Sequence, residues 1–280
     1  MQTFKEHLKD NYSERIQTIR EKVKNYLLKF NIKNLTIGIS GGLDSGVNAA
    51  LLRTICDEIG ISLIGVYIHI ESNTVQEKDR AEKIGKAFCH SYQEIDLTNL
   101  YYNMLNETHD TYVIKDRKTK IRLGNIKARL RMIWLRNLAS LHNGLLVDND
   151  NLTEHLLGFW TLDGDVGDIT PLFNLYKTEV YQLAQDLIRL DNLNNERKEA
   201  LQEVIDAIPT DGLGITSSDL EQIGAESYNI VDDILFTYLN NDEKCLQDYL
   251  FPTYGEEVVN NVLNRYKNSD FKRHHPYRVI

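Results

Sequence analysis

Cysteine and long apolar runs are both scarce in this 280-residue chain. The three cysteines, Cys56, Cys89 and Cys245, lie far apart and form no Cys-x-x-Cys pair. This spacing argues against a disulfide framework and against a cysteine zinc site, and it favours a reduced, cytoplasmic location. No run of about 18 apolar residues is present, so no membrane span is expected. Residues 1–12 are polar and charged, so no signal peptide is expected either.

Positive charge is also in the minority, because the formal net charge is −9 at pH 7. Such an acidic balance argues against general nucleic-acid binding. Residues 115–136 are the exception, with nine basic side chains and one acid, Asp116. This local excess predicts contact with a polyanionic ligand. For the part from Lys115 to Lys120, a solvated basic face is the alternative interpretation.

A strand, a glycine pair and a helix follow one another in residues 35–45. The apolar pattern of 35–39 predicts a short buried strand, Ser40-Gly41-Gly42 ends it, and a helical pattern begins at Ser45. The backbone N–H groups of such a junction suit a phosphate, and glycine lets the anion approach closely. The loop matches neither the Walker A motif nor the dinucleotide fingerprint.

Asp44 is the unusual residue of this loop. A carboxylate inside a phosphate cradle repels the ligand unless a cation lies between them. The loop therefore predicts Mg²⁺ as a cofactor. The alternative is an ordinary Gly-Gly turn that is capped by Asp44 or Ser45.

Apolar patterning alternates between strands and helices along the chain. Strands are predicted at 35–39, 62–68, 92–95 and 144–147, and helices at 12–30, 73–88, 97–105, 125–142 and 178–190. This order predicts an α/β fold, a doubly wound parallel sheet flanked by helices, with ligands at the carboxyl ends of the strands. The part after the sheet is predicted to be helical, over 192–207 and most of 217–267. No composition change marks a boundary, so one domain over 1–280 is expected.

Two segments carry finer predictions. Residues 106–124 lack periodicity and are predicted to form a mobile loop that closes over the ligand, with an idle surface loop as the alternative. Asn73, followed by Gln76 three residues later, predicts the capping box of the helix that reaches Phe88.

The stretch Ser40-Gly-Gly-Leu-Asp-Ser45 resembles the pyrophosphate loop of the ATP pyrophosphatases, in the adenine nucleotide alpha hydrolase superfamily. These enzymes adenylate a carbonyl or carboxylate and release pyrophosphate. Later segments resemble, in order, one branch of that group, the ammonia-dependent NAD synthetases. They are Lys127–Met132, Gly158–Thr161, Gly164–Asp168, Pro171-Leu172, Leu175–Glu179, Pro209–Asp211, Gly224–Asp233 and Phe271–Arg273. The resemblance runs from about residue 14 to residue 276.

The resemblance implies a ligase that amidates deamido-NAD⁺ to NAD⁺ with ATP and ammonia. The nicotinic acid carboxylate would attack the α-phosphorus of ATP, giving an adenylate and pyrophosphate, and ammonia would then displace AMP. Glutamine-dependent members carry an additional amidase domain, for which this chain has no room, so ammonia is the expected nitrogen donor. The family is homodimeric with the dinucleotide near the subunit interface, so a homodimer is expected.

The resemblance also assigns roles to individual residues. Asp44 and Lys177 would be catalytic, and Asp44 and Glu154 would hold the metal. The ATP site would consist of Gly38, Ser40, Gly41, Gly42, Asp44, Ser45, Asn149, Lys177 and Thr210. The deamido-NAD⁺ site would consist of Arg129, Asp168 and Lys272. Plainer alternatives are a helix N-terminal acid for Glu154, a solvated helix lysine for Lys177 and a turn residue for Thr210.

Some positions depart from the family pattern. Asp148-Asn149-Asp150 stands where the family usually has Gly-Thr-Asp, and Leu162 stands where one branch has a dinucleotide-binding lysine. Asp148 would add a negative charge and a Cβ beside the ATP site, and the loop at 164–168 is shorter than in that branch. Two other hypotheses therefore stay open: an ATP pyrophosphatase that acts on another carboxylate, and a nucleotide-binding relative with little activity.

Overall fold

The computed structural model describes residues 1–71, 73–108, 116–210 and 218–279. Its four strands are β1 (Asn34–Gly38), β2 (Ser62–His69), β3 (Ser91–Asp96) and β4 (Leu145–Val147). They form a parallel sheet in the order β3-β2-β1-β4. The predicted doubly wound parallel α/β sheet is therefore confirmed. The strand order reverses beside β1, which places the loop after this strand at the point where doubly wound sheets bind ligands.

Helices account for most of the remaining described chain. In chain order they are α1 (Phe4–His7), α2 (Ser13–Lys29), α3 (Leu43–Ile59), α4 (Val75–Phe88), α5 (Thr98–Glu107), α6 (Arg117–Leu141), α7 (Leu152–Leu157), α8 (Lys177–Leu190), α9 (Asn195–Ile205), α10 (Asp219–Ile223), α11 (Tyr228–Asn240), α12 (Phe251–Tyr254), α13 (Glu256–Asn268) and α14 (Asp270–Arg273). A π-helical turn, Leu246–Leu250, leads into α12. The predicted helical C-terminal part is thus present in the described residues.

The sheet separates two apolar cores because successive side chains of a strand point to opposite faces. On β2, Leu63 and Tyr67 pack with α2, α3, α4, α8 and α9. Ile64, Val66 and Ile68 pack on the other face with α5 and α6. A third core joins α1, α7, α11 and α13 beside the sheet. Helices α3 and α8 therefore pack in the first of these cores, α6 packs in the second and α7 in the third.

Two local predictions were wrong. The capping box of α4 is formed by Thr74 and Glu77, one residue later than predicted, with the Glu77 N–H donating to Thr74 Oγ1 at 3.2 Å. Helix α6 begins at Arg117 rather than Asn125, because Asp116 caps it by accepting from the Thr119 N–H at 2.7 Å. Most of the described part of 106–124 is therefore helical, and 109–115 lies outside the described residues.

The longest helix of the described ranges, α6, contains several charged side chains. No helix within these ranges combines the length and the apolarity that a bilayer crossing requires.

Candidate active site

A cavity of about 400 Å³ opens at the carboxyl ends of the strands. Its walls come from the ends of β1, β2 and β4, the first turn of α3, one face of α6 and the segment 158–165. A volume of this order suits a small organic ligand. The cavity therefore lies at the edge of the sheet where the sequence predicted ligand binding.

The turn after β1 is held in shape by the hydroxyl groups of Ser40 and Ser45. The Ser40 N–H donates to Ser45 Oγ and the Gly42 N–H donates to Ser40 Oγ, each at 3.2 Å. Gly41 has φ +81°, and a Cβ at this position would lie 2.2 Å from the Glu77 carbonyl oxygen, so only glycine fits. Gly41 thus shapes the turn without lining the cavity. The predicted phosphate residues that do line the cavity are Gly38, Ser40, Gly42 and Ser45.

Lys177, the first residue of α8, inserts its ammonium group between two carboxylates. Its Nζ donates to Asp44 and, at 2.9 Å, to Glu154 Oε1. Asp44 also accepts from Asn151 Nδ2 at 2.9 Å. The side chain of Lys177 is only 4% exposed, which excludes the alternative of a solvated helix lysine. One buried cation therefore contacts two carboxyl groups at the end of the phosphate loop.

The pKa values of this cluster follow from its charges. Burial raises the pKa of Glu154 to about 7, and the Asp44 carboxylate adds to this shift while Lys177 opposes it. Burial works to lower the pKa of Lys177, but the carboxylates of Asp44 and Glu154 outweigh it and hold that pKa well above its usual value. Lys177 therefore stays charged at neutral pH, and Glu154 titrates near neutrality.

Glu154 also acts at a helix terminus. Its backbone N–H donates to Asn151 Oδ1 at 3.0 Å, and its Oε2 accepts from the Asn151 N–H at 3.4 Å, which completes the capping box of α7. Glu154 thus has the helix N-terminal role that was the alternative to metal binding. The other carboxylate oxygen, Oε1, accepts from Lys177 Nζ. The capping contact therefore orients Glu154 toward the cavity and is compatible with a role of Glu154 in ligand binding.

A buried network that the sequence did not predict fixes Glu154 and Lys177 relative to one another. Asp232 of α11 accepts from Thr153 Oγ1 at 2.5 Å and from the Thr178 N–H at 2.8 Å. Thr153 Oγ1 in turn accepts from the Lys177 N–H at 2.8 Å. Thr153 and Thr178 are the sequence neighbours of Glu154 and Lys177. Asp232 therefore positions both functional side chains through the backbone.

Thr210 and Asn149 both line the cavity, as predicted for ATP-site residues. Thr210 Oγ1 donates to Glu77 Oε1 at 2.9 Å, which ties its segment to α4. Asn149 Nδ2 donates to the Gly38 carbonyl oxygen at 2.9 Å, and its Oδ1 accepts from Asn48. The Asn149 amide thus fastens the end of β4 to the end of β1.

Asp148 immediately precedes Asn149, which lines the cavity, and the expected negative charge beside the ATP site stays a prediction. Asp148 is buried, lies outside the cavity lining, and accepts from the Asp150 and Gly167 N–H groups, each at 2.8 Å. Two backbone donors therefore satisfy a carboxylate that would otherwise be costly to bury.

The three residues expected to contact the acid substrate are not gathered in one place. Lys272 lines the cavity and donates to the carbonyl oxygens of Trp160 and, at 2.7 Å, of Gly158. Arg129 is exposed and donates to the Leu162 carbonyl oxygen at 3.2 Å. Asp168 accepts from Arg136 and from the Leu146 N–H, both at 2.9 Å. In this single chain, Arg129 and Asp168 therefore lie outside the cavity lining.

Sequence reasoning missed several residues of the cavity wall. Asp150 and Asp165 both line it, and burial raises the pKa of each carboxyl above its usual value. Both residues lie inside segments that the sequence had singled out, 148–150 and 164–168, but neither was assigned a role. From the basic segment, Arg117 and Arg131 line the cavity. The predicted excess of positive charge thus partly faces the candidate ligand.

Comparison with known proteins agrees with this geometry. The family model described as NAD synthase matches residues 15–276, which is nearly the whole chain. The chain belongs to the NAD synthase family. An ammonia-dependent NAD⁺ synthetase from Thermoplasma acidophilum is 31% identical over 272 residues, covering 96% of this chain and 98% of the relative.

Solved structures support the fold of this family member. The NMN synthetase from Francisella tularensis superimposes with a TM-score of 0.76 at 24% identity, covering 97% of this chain and 99% of that one. The ammonia-dependent NAD synthetase from Campylobacter jejuni superimposes with a TM-score of 0.72 at 22% identity, covering 96% and 100%. Identities this low carry the fold alone, so the substrate has to be argued from the site.

Proposed function

We propose that this NAD synthase family member is an ammonia-dependent ligase that amidates deamido-NAD⁺ to NAD⁺. It uses ATP and ammonia, forms a deamido-NAD adenylate, and releases pyrophosphate and AMP. The observation that carries the proposal is the cluster of Asp44, Glu154 and Lys177 at the end of the phosphate loop. A mere nucleotide binder does not need two carboxylates beside a triphosphate, because they repel it unless a cation intervenes.

The donor set of this cluster fits Mg²⁺. Asp44 and Glu154 already share one cation, the Lys177 ammonium, and carboxylate oxygens are the protein ligands that Mg²⁺ prefers. No group of three or more metal-ligating side chains occurs among the described residues. Two protein carboxylates are nevertheless sufficient, since Mg²⁺ in nucleotide sites usually completes its coordination with phosphate oxygens and water. Bound there, Mg²⁺ would neutralise phosphate charge.

The first half-reaction brings one anion to another, since a carboxylate must reach the α-phosphorus of a polyphosphate. The N–H groups around Gly42 and the hydroxyls of Ser40 and Ser45 would hold the phosphates at the start of α3. The ammonium group of Lys177 would stabilise the negative charge that develops on the phosphate oxygens as pyrophosphate leaves. Asn149 and Thr210 would close the ATP side of the cavity.

The acid substrate would occupy the side of the cavity that is formed by Trp160, Asp165 and Lys272. Lys272 supports this placement because its ammonium group lies at the wall, 5.4 Å from the Trp160 ring centroid, and can attract an anion. Arg129 and Asp168 remain proposed contacts of deamido-NAD⁺, and they lie near the surface. Such a location is compatible with a dinucleotide that extends toward a second subunit, so we propose a homodimer.

A second candidate substrate is the smaller acid nicotinic acid mononucleotide. The Francisella protein is called an NMN synthetase. NMN is the amidated form of nicotinic acid mononucleotide. All three expected dinucleotide contacts make hydrogen bonds within their own chain, and Arg129 and Asp168 also lie outside the cavity lining. Leu162 also replaces a dinucleotide-binding lysine of one branch. A mononucleotide would need neither Arg129 nor Asp168.

A competition between the two acids tests the proposed function. Purified protein with ATP, Mg²⁺ and ammonium would be given deamido-NAD⁺ or nicotinic acid mononucleotide, and kcat/KM measured for each by amide formation. We expect deamido-NAD⁺ to be preferred. Preference for the mononucleotide would establish the second candidate, and ATP binding without amide from either acid would support a nucleotide-binding relative or a different carboxylate substrate.

A further inference from the structure

The loop at 164–168 is attached to the edge of β4 by a set of polar contacts. The Asp148 N–H donates to the Ile169 carbonyl oxygen, and the Asp168 N–H donates to that of Leu146, at 2.8 and 2.7 Å. Val147 and Ile169 form a parallel bridge. The end of the loop therefore runs along β4 like a short additional strand.

Asp148 supplies the side-chain contact at the point of closest approach. Its Oδ1 accepts from the Asp150 N–H and its Oδ2 from the Gly167 N–H. A Cβ at Gly167 would lie 2.5 Å from the Asp148 nitrogen, so the two backbones are in direct contact. Asp148 is 5% exposed, and a carboxylate is the acceptor-only group that can serve both N–H donors at once.

We propose that Asp148 is a positioning residue that fixes the 164–168 loop and thereby the place of Asp165 in the cavity wall. Asp165 lines the cavity two residues before Gly167, and its Oδ2 accepts from the Thr161 N–H at 2.7 Å. The position of Asp165 is thus set by its own hydrogen bond from the Thr161 N–H and by the hydrogen bond that joins Gly167 to Asp148. We call the two contacts of the Asp148 carboxylate, with the Asp150 N–H and the Gly167 N–H, the clamp, and a glycine at position 148 would have no side chain to make it.

The consequence lies on the acid side of the cavity, and this part rests on the proposed function. Gly164 and Asp165 share that wall with Trp160 and Lys272. The Asp148 side chain holds the loop through the Gly167 N–H and lies outside the cavity lining, so its loss is expected to disturb binding of the acid more than binding of ATP.

Two variants at position 148 and one control test the clamp. Asp148→Asn keeps the size but places an NH₂ group against one of the two N–H donors, and Asp148→Gly removes both acceptors. Asp163→Asn makes the same chemical change on an exposed side chain of the neighbouring turn. Asp148→Gly removes a side chain without adding bulk at this buried position, so it is expected to fold.

Hydrogen exchange over 162–168 and separate KM values for the acid and for ATP are the measurements. We expect about tenfold faster exchange and an acid KM raised about tenfold in Asp148→Asn, a larger effect in Asp148→Gly, and a KM for ATP within about twofold of the parent. Exchange equal to that of Asp163→Asn, or equal losses for acid and ATP, would overturn the proposal.

The two arms separate this inference from the proposed function. Hydrogen exchange is measured without substrate, so it tests the Asp148 contacts independently of any enzymatic activity. If the parent protein amidates neither acid, that result counts against the proposed function, while unchanged exchange in both Asp148 variants counts against the clamp.

Discussion

Lys177 is the residue on which the charge balance of the cavity depends. Its ammonium group is buried with Asp44 and Glu154, and it also lies 5.5 Å from the Tyr228 ring centroid. Removing one partner of a buried ion pair is costly because an uncompensated charge remains. The same charge is what a polyphosphate would find on entering the cavity. Stability and the proposed chemistry therefore share one side chain.

Replacing Lys177 with methionine is expected to abolish adenylation and to lower the free energy of unfolding by about 3–5 kcal/mol at neutral pH. Without Lys177, the pKa of Glu154 rises above about 7, because Lys177 opposes the upward shift. The stability deficit should therefore grow as the pH rises through that value. Urea denaturation at pH 6 and pH 8 measures it, with exposed Lys244→Met as the control. Equal deficits for the two variants at both pH values would contradict the account.

Asp44→Asn tests the proposed metal role directly. The amide keeps the size of the side chain but removes the charge, so pyrophosphate release should nearly stop while the near-ultraviolet circular dichroism stays unchanged. Exposed Asp79→Asn is the matched control. Normal turnover of Asp44→Asn at saturating Mg²⁺ would eliminate Asp44 as a metal ligand.

Lys272→Ala tests the acid side of the cavity. We expect the KM for the acid substrate to rise at least about tenfold, in line with the loss of a charge-assisted contact, and the KM for ATP to change little. Exposed Lys267→Ala, on the preceding helix, controls for the loss of a lysine. An equal rise in both KM values would show that Lys272 supports the whole cavity rather than the acid alone.

At the scale of elements, the site is assembled where three helices meet. Helices α7 and α8 each begin at the cavity, and Asp232 of α11 joins their first turns through Thr153 and Thr178. Burial raises the pKa of Asp232 to about 6, and hydrogen bonds from Thr153 and Thr178 limit the shift. The Asp232 carboxyl group thus fixes the first turns of α7 and α8 relative to one another, and its burial favours the protonated form.

This shift gives Asp232 a defined contribution to the pH dependence of stability. Its folded pKa lies above the unfolded value of 3.8, so its contribution is complete below that value and declines as the pH rises toward 6. Relative to Asp232→Asn, the parent should lose on the order of 3 kcal/mol across this window. Denaturant unfolding of both proteins from pH 4 to pH 7 measures the difference. Parallel curves would contradict the assignment.

The elements themselves were largely predictable from the sequence. The strands and the amphipathic helices are visible because apolar side chains recur with the period of the structure. The early start of α6 was missed because its first turns, rich in basic side chains, show no clear apolar stripe, and the Asp116 cap decides the boundary. The Thr74 cap was missed by one residue because Asn73 and Thr74 are both good capping residues.

The site was only partly predictable, because long-range contacts have no local signature. Asp44 was identified from its place in the glycine loop, Glu154 and Lys177 were identified through resemblance, and the structure brings the three together. Asp232 was hidden because its partners lie 54 and 79 residues away. The contacts of Asp148 with the Asp150 and Gly167 N–H groups were missed, since the sequence does not show which way a side chain turns after a short strand.

At the scale of the whole molecule, a single cavity at the carboxyl edge of the sheet joins the phosphate loop to the wall that contains Lys272. The proposed reaction needs this continuity, because the acid must attack a phosphorus atom held in the loop. One-to-one coupling between pyrophosphate release and amide formation is therefore expected.

The most direct test follows both products in the same reaction. Purified protein would receive ATP, Mg²⁺, deamido-NAD⁺ and ammonium, with NAD⁺ read by an alcohol dehydrogenase and pyrophosphate measured in parallel. We expect one NAD⁺ for each pyrophosphate, and no pyrophosphate without the acid. Bound ATP with neither product formed would contradict this expectation.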